Sequence, residues 1–521
     1  MEGLPARAAV LARRLNANRT TGRKDIMLAS AEIGHRIARE DYQRDEPALR
    51  EGLLNAQYDL LERKRGPILV LISGIEGGGR GEIANQLTSW LDPRHVRVNA
   101  FGPPTTEELA HPPAYRYWRS LPPKGKIGVF MNAWYRDVLG GEHPGDVEPS
   151  TLTTEIRRIR HFERMLADEG VTLLKFWIHL SRDALKKRVH QLTADPATRW
   201  RVTAEDRRAV TRYSASHALW EHMLRESSTG AAPWNVVEGS DARYRNLTIG
   251  KLLLEAMQHA AAHDGAVRPA TEAVRPTPSV IDNVKLIRDL DLSLTLAPER
   301  YPALLAKWQA RLAEATRDKR FRRRALVAVF EGADAAGKGS ALRRVTGALD
   351  ARQYLLVPTG APNDDERAHP YLWRFWRYVP ARGGITLFDR SWYGRVLVER
   401  IESFCSVADW TRAYEEINHF EEELADAGII VAKFWLQISK AEQLARFKAR
   451  EQTSFKRFKI TQEDWRNRKK WSEYERAVAD MVDRTSTEIA PWTLVEADDK
   501  RHARIKVLRT LVKAVEAALE R

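Results

Sequence analysis

The chain repeats itself at a spacing of 258 residues, and that repeat limits its possible folds more than any other feature. Gly74 and Gly332 open two glycine-rich segments, SGIEGGGRGE at 73–82 and EGADAAGKGS at 331–340. The same 258-residue offset aligns the two halves without a gap for more than 150 residues. His111-Pro112 meets His369-Pro370, Trp134-Tyr135 meets Trp392-Tyr393, and His161-Phe162-Glu163 meets His419-Phe420-Glu421. Lys175-Phe176-Trp177 meets Lys433-Phe434-Trp435, and Pro233-Trp234 meets Pro491-Trp492. Solenoid repeats run to roughly 20–50 residues, so a period this long is a duplicated domain. With 521 residues to share, each copy has about 250, an ordinary size for one α/β unit with helical additions.

Each copy alternates short apolar runs with longer amphipathic stretches. The runs are Ile68–Ile72, Val96–Ala100, Ile127–Met131, Leu173–Leu180 and Asn235–Val237 in the first. In the second they are Ala325–Phe330, Tyr354–Val357, Ile385–Phe388, Ile429–Leu436 and Thr493–Val495. Five strands separated by helix-length segments predict an α/β domain, a mainly parallel five-stranded sheet with helices on both faces. Residues 1–62 read as helical, with Ile26, Leu28, Ile33 and Ile37, then Leu53, Leu54, Tyr58 and Leu61, on buried faces. Tyr301 to Arg320 reads as the matching lead-in helix, and the proline-rich stretch 263–283 as an extended linker. The expected domains are therefore 1–262 and 284–521.

The net charge of +15 and pI of about 9.7 favour capture of polyanions. Charge alone leaves nucleic acid, nucleotides, inorganic phosphate chains, anionic membrane or a merely solvated surface open. The single cysteine, Cys405, excludes an intrachain disulfide and a cysteine-based metal site. No apolar run approaches the ~18 residues of a membrane span, and the N-terminus lacks a secretory core. A cytoplasmic setting is expected.

Gly332-Ala-Asp-Ala-Ala336-Gly337-Lys338-Gly339-Ser340 follows an apolar strand and opens a helix-like segment, Ala341–Leu349. That is the context of a phosphate loop: backbone N–H groups converge on phosphate oxygens, and a helix N-terminus adds its dipole. Lys338 supplies a point charge for the terminal phosphates. Gly339 stands where the common pattern has a Ser or Thr that holds Mg²⁺, and Ser340 comes one place too late. Metal holding is therefore expected to pass to carboxylates, Asp334 in the loop and Asp389 at the end of ITLFD. Arg390 and Arg395 are placed to clamp phosphoryl oxygens. A basic tract with interleaved aromatics spans 446–470, including Arg446, Arg450, Lys459, Arg468 and Lys469. For most of these side chains a solvated helix face accounts for the pattern; opposite a phosphate loop, the tract also suits a lid that closes over charged substrate.

GADAAGKG, LFDRSWY and the TSTEIAPW…ADDK run at 485–500 together resemble the polyphosphate kinase 2 family. The resemblance covers the second copy from about Arg320 onward and, more weakly, the first. It implies two tandem P-loop kinase-like domains, each with a helical lid, and Mg²⁺-assisted phosphoryl transfer from inorganic polyphosphate to a nucleotide. The fused two-domain form resembles polyphosphate:AMP phosphotransferases. The resemblance makes Asp334, Lys338, Asp389, Arg390 and the basic lid the functional positions. Alternatives at this stage are a polyphosphate:ADP/GDP kinase, an ATP-dependent nucleoside monophosphate kinase, and a nucleic-acid-binding P-loop ATPase. The expected partners are polyphosphate and an adenine nucleotide rather than nucleic acid or membrane. The two copies are expected to form an intrachain pseudo-dimer, with a homo-oligomer left open.

The first copy lacks the same chemistry. Lys338 becomes Arg80, Asp334 becomes Glu76, Asp389 becomes Met131, and Arg390 becomes Asn132. An arginine fork does not replace a lysine point charge, and methionine cannot hold Mg²⁺. A non-catalytic domain is expected there, one that steadies the second copy or guides a phosphate chain toward it.

Overall fold

The computed structural model describes residues 26–139, 149–262, 284–454 and 460–520. Two compact units emerge: Met1–Pro104, Tyr117–Pro269 and Asn363–Tyr371 make one, and Thr105–Arg116, Ala270–Pro362 and Leu372–Arg521 the other. Each is built on a five-stranded sheet. The first has β1 (Ile68–Gly74), β2 (Val96–Ala100), β3 (Ile127–Met131), β4 (Thr172–His179) and β5 (Trp234–Glu238), in the order β2-β3-β1-β4-β5. The second has β6 (Ala325–Gly332), β7 (Tyr354–Pro358), β8 (Ile385–Asp389), β9 (Ile429–Gln437) and β10 (Trp492–Glu496), in the equivalent order β7-β8-β6-β9-β10. All neighbouring strands in both sheets are parallel. The central strands β1 and β6 are buried along nearly their whole length, as continuous apolar runs in a doubly covered sheet require.

One face of the second sheet packs on helices Tyr301–Arg317, Lys338–Thr346 and Lys500–Glu520 through Leu312, Leu342, Val345, Leu508 and Leu511. The first sheet does the same with Arg39–Glu62, Arg80–Trp90 and Ala242–Ala262 through Leu53, Leu60, Ile83, Leu87 and Leu253. The Arg39–Glu62 helix buries Leu49, Leu53, Ala56 and Leu60, whereas Tyr58 is exposed and Ile33 precedes the helix. The expected face was thus one position out: Leu53 suits either stripe, and tertiary packing chose the other. The helix after the second loop starts at Lys338, three residues earlier than expected, because Gly337 takes the left-handed N-cap conformation. The linker expected at 263–283 and residues 1–25 of the expected helical lead-in lie outside the described residues.

The residues that the two copies share form a buried network. Lys433 Nζ lies 2.7 Å from Glu421 Oε2 and donates to Tyr393 Oη at 2.8 Å and to the Thr485 carbonyl at 2.6 Å. Trp392 Nε1 and Tyr393 Oη donate to Glu421 Oε1 at 3.1 and 2.7 Å. Lys175, Glu163, Tyr135, Trp134 and the Ser227 carbonyl repeat the arrangement, with the ion pair again at 2.7 Å. Burial pushes both glutamates up and both lysines down. Among the described residues, no helix is long and apolar enough to cross a membrane.

Candidate active site

The loop from Gly332 to Gly337 connects β6 to the N-terminus of the Lys338–Thr346 helix. Gly332 has φ +153°, and a Cβ there would meet the Leu436 carbonyl oxygen at 2.6 Å, so only glycine lets β6 leave the sheet here. Gly337 has φ +112°. Two residues other than glycine are also left-handed, Ala335 at φ 65° and Arg390 at φ 63°. Such backbone strain typically marks a functional turn.

Lys338 folds back over the loop and donates to the Gly332 carbonyl at 2.7 Å. Burial, then the Arg390 guanidinium, pulls its ammonium below the usual lysine range. Asp334 is held from three sides. Its Oδ1 accepts from Arg390 Nη2 at 3.1 Å, its Oδ2 from Asn467 Nδ2 at 2.9 Å, and its carbonyl from Gln443 Nε2 at 3.1 Å. Asp389 ends β8 in register with Phe330 of β6. Its Oδ2 lies 3.9 Å from where a Cβ on Gly339 would stand, so a carboxylate comes to the position from which the common loop would present a hydroxyl. Its side chain makes no hydrogen bond among the described residues. Asp334 and Asp389 are hard oxygen donors of the kind Mg²⁺ takes, one or two carboxylates with the remaining places filled by water and substrate.

The other expected residues divide. Arg450 is half-buried near Asp464 and Asp334. Arg446 turns inward and donates to the carbonyls of Ala335, Ala336, Ala497 and Asp498 and to Glu442. It braces the loop from behind. Ser340 Oγ accepts from Arg504 Nε at 2.9 Å, Arg395 pairs with Glu399 at 2.9 Å, and Arg468 donates to the Lys440 carbonyl and Gln443 Oε1. Lys469 is exposed on the Gln462–Lys469 helix, and Lys459 lies outside the described residues.

A cavity opens beside the loop as a cleft, its empty space of about 820 Å³ continuous with solvent. Gly332, Ala333, Asp334 and Arg390 form one part of its wall; Leu397, Val398, Trp435, Trp471, Tyr474 and Val478 supply an apolar and aromatic part. That mixture suits a small organic ligand with one charged end. Glu331, Gln437, Gln443, Glu463 and Asn467 also line it. Glu331 is buried, accepts from Ser391 Oγ at 2.9 Å, and is pushed up by burial. No motif points to Glu331, Gln443 or Tyr474, and Trp471 enters only as the aromatic at the end of the basic tract. The repeat itself carried the signal: 258 residues earlier stand Ser73, Leu185, Tyr213 and Ser216.

The corresponding loop of the first unit keeps the backbone. Gly74, Gly77, Gly79 and Asn132 have φ of 145°, 75°, 96° and 62°. The side chains close on one another instead of leaving an anion site. Arg80 is bonded to Glu76 and Asn132. Glu82, in the first turn of the Arg80–Trp90 helix, meets Arg188 at 2.7 Å, Arg245 at 3.1 Å and Arg201 at 3.5 Å. Burial acts to raise the Glu82 carboxyl, and these arginines hold it below the usual range. The Arg245 guanidinium is buried so closely that a Cβ on Gly79 would meet it at 2.0 Å. Ser340 and Ala503 stand at the positions of Glu82 and Arg245 in the second unit.

The polyphosphate kinase 2 family model matches residues 36–276 and again 295–521. A polyphosphate:AMP phosphotransferase of Pseudomonas syringae pv. tomato is 54% identical over 497 residues, covering 95% of this chain and 99% of that protein. One of Acinetobacter johnsonii is 37% identical, covering 91% and 97%. The crystal structure of a putative polyphosphate kinase 2 from Pseudomonas aeruginosa superimposes with a TM-score of 0.86 at 52% identity, covering 95% of this chain and 100% of that one.

Proposed function

This chain belongs to the polyphosphate kinase 2 family, and on that premise we propose that its second unit transfers the terminal phosphoryl group of inorganic polyphosphate to AMP, giving ADP. The protein is an enzyme, a phosphotransferase. The observation that carries the substrate assignment is the cavity, which joins a lysine-bearing phosphate loop to an apolar and aromatic wall.

In the transfer, a phosphate oxygen of AMP forms a bond to the terminal phosphorus of the chain. The bridging P–O bond breaks, and a polyphosphate shorter by one unit leaves. The attacking oxygen is already ionised near neutral pH, so no general base is needed. Positioning and charge neutralisation dominate such reactions. Lys338, released from the Gly332 carbonyl, meets the transferred phosphoryl oxygens, as do the loop N–H groups. Arg390 and Asn467 hold Asp334 in place, and Arg390 neutralises charge as the bridging bond breaks. Asp389 and Asp334 would hold Mg²⁺, which would supply charge neutralisation to phosphate oxygens. The Gln462–Lys469 helix closes over the substrates and excludes water. The first unit, with Met131 in place of Asp389, is non-catalytic.

The assay supplies AMP, Mg²⁺ and either polyphosphate or ATP, and quantifies ADP and ATP. ADP formed from AMP with polyphosphate as sole donor is the expected result. No nucleotide product from polyphosphate would overturn the proposal.

A further inference from the structure

A short helical turn, Lys285–Arg288, precedes the lead-in helix of the second unit and reaches the cavity. It falls between the two stretches matched by the family model, which break off at 276 and resume at 295. Val284 and Ile287 are buried, and Ile287 lines the cavity with Trp471, Tyr474 and Val478 of the Trp471–Thr485 helix. Arg288 fastens the turn to that helix: its Nη2 lies 3.0 Å from Glu475 Oε2, while Glu475 Oε1 accepts from Trp471 Nε1 at 3.0 Å. Glu475, paired with Arg288, also lines the cavity, and the phosphate-binding groups there are Arg390 and the loop N–H groups, on the part of the wall formed by Gly332, Ala333 and Asp334. An acceptor whose phosphate meets them directs its base toward the apolar wall to which Ile287 belongs.

The first unit carries the same device in a different state. The turn Ile26–Ala29 leads into buried Ala31 and then Glu32, whose Oε1 lies 2.8 Å from His179 Nε2 and accepts from Tyr213 Oη at 3.1 Å. His179 and Tyr213 stand 258 residues before Gln437 and Trp471, and both of the latter line the cavity. In the first unit the lead-in segment sends a carboxylate to the residues that match the cavity wall. In the second it supplies an aliphatic side chain and leaves the space open.

We propose that Ile287 is a specificity-determining wall for the base of the acceptor nucleotide, so that the Lys285–Arg288 turn sets acceptor affinity without touching the transferred phosphoryl group. The inference rests on reading the cavity as the AMP site.

The full-length chain is tested as Ile287→Trp, which fills the base end, and Ile287→Ala, which opens it. AMP binding is followed by calorimetry without polyphosphate, and steady-state rates are followed with both substrates. Ile287→Trp is expected to weaken AMP binding and raise its KM about tenfold or more. With saturating AMP, kcat should stay within about twofold and the KM for polyphosphate should not move. Ile287→Ala should raise the AMP KM by a smaller factor with the same split, and it carries the test alone if the tryptophan variant does not fold. An AMP affinity unchanged by substitution, or a KM for polyphosphate that moves in step with that for AMP, overturns the wall. If the unsubstituted chain makes no ADP, the transferase reading falls, and the AMP titration still decides the wall.

Discussion

The two phosphate loops share a backbone and differ in almost everything that backbone presents. Gly74 and Gly332, Gly79 and Gly337, and Asn132 and Arg390 adopt matching left-handed conformations. Yet one loop frames a cavity, and the other is stitched shut by Glu76, Arg80, Glu82 and Arg245. Loop shape therefore does not depend on the side chains that would bind an anion, which can change without disturbing the frame.

The largest expected effect is one on which the two units should agree. Glu163→Gln and Glu421→Gln each leave a fully buried lysine without its countercharge, and each should cost about 3–5 kcal/mol. Denaturant unfolding followed by tryptophan fluorescence measures both, and a much smaller loss in one unit would break the equivalence of the scaffolds. Next comes the expected asymmetry. Lys338→Ala should lower kcat about 10²- to 10³-fold by removing charge stabilisation at the transferring group, while Arg80→Ala should leave ADP formation within about twofold. Equal losses would reassign the first loop as a working site. A subtler contrast lies in the backbone: Gly77→Ala should destabilise the first unit by roughly 1 kcal/mol, because an alanine there must adopt φ +75°. Ala335→Gly should raise the melting temperature of the second unit slightly; a fall would show that the strain at Ala335 is not real.

The smallest effect concerns pH. Burial lowers the pKa of His179, with Glu32 opposing. The folded first unit thus resists a proton that the unfolded chain accepts near pH 6.5. Stability is present above that value and lost as pH falls through it. Gln437, at the matching position of the second unit, does not titrate. His179→Gln should therefore flatten the loss of stability as pH falls below about 6.5; an unchanged pH profile would remove His179 from the account.

The strands were legible because a parallel sheet covered on both faces needs largely apolar runs, and β1, β4, β6 and β9 are such runs, with Lys175 and Lys433 set into two of them. The phosphate loop was legible from its glycines and Gly337-Lys338, set between an apolar strand and a helix-like segment. Arg446 shows where such reading stops. It lies one turn before Arg450 on the Lys440–Gln452 helix, and in sequence both look equally ready for phosphate. Only the fold brings loop carbonyls to Arg446, and a carbonyl attracts a guanidinium for the same reason a phosphate oxygen does. The aromatic wall escaped for a related reason: Trp471 and Tyr474 have the spacing of an ordinary amphipathic helix, and only the approach of β9 and the loop makes their side of that helix a chamber.

The left-handed residues at 335 and 390 also bear on history. The second unit holds alanine and arginine where the backbone resists them, whereas the first has glycine and asparagine, the residues that tolerate that conformation best. A lineage that relaxes these positions gains stability at once, and retracing the path offers no early reward. Restoring arginine at 132 would bring back the strain while Met131 still supplied no carboxylate. On the proposed reading of the first unit as non-catalytic, loss of chemistry in a duplicated domain runs downhill, and its reversal must cross several unproductive sequences before the first turnover.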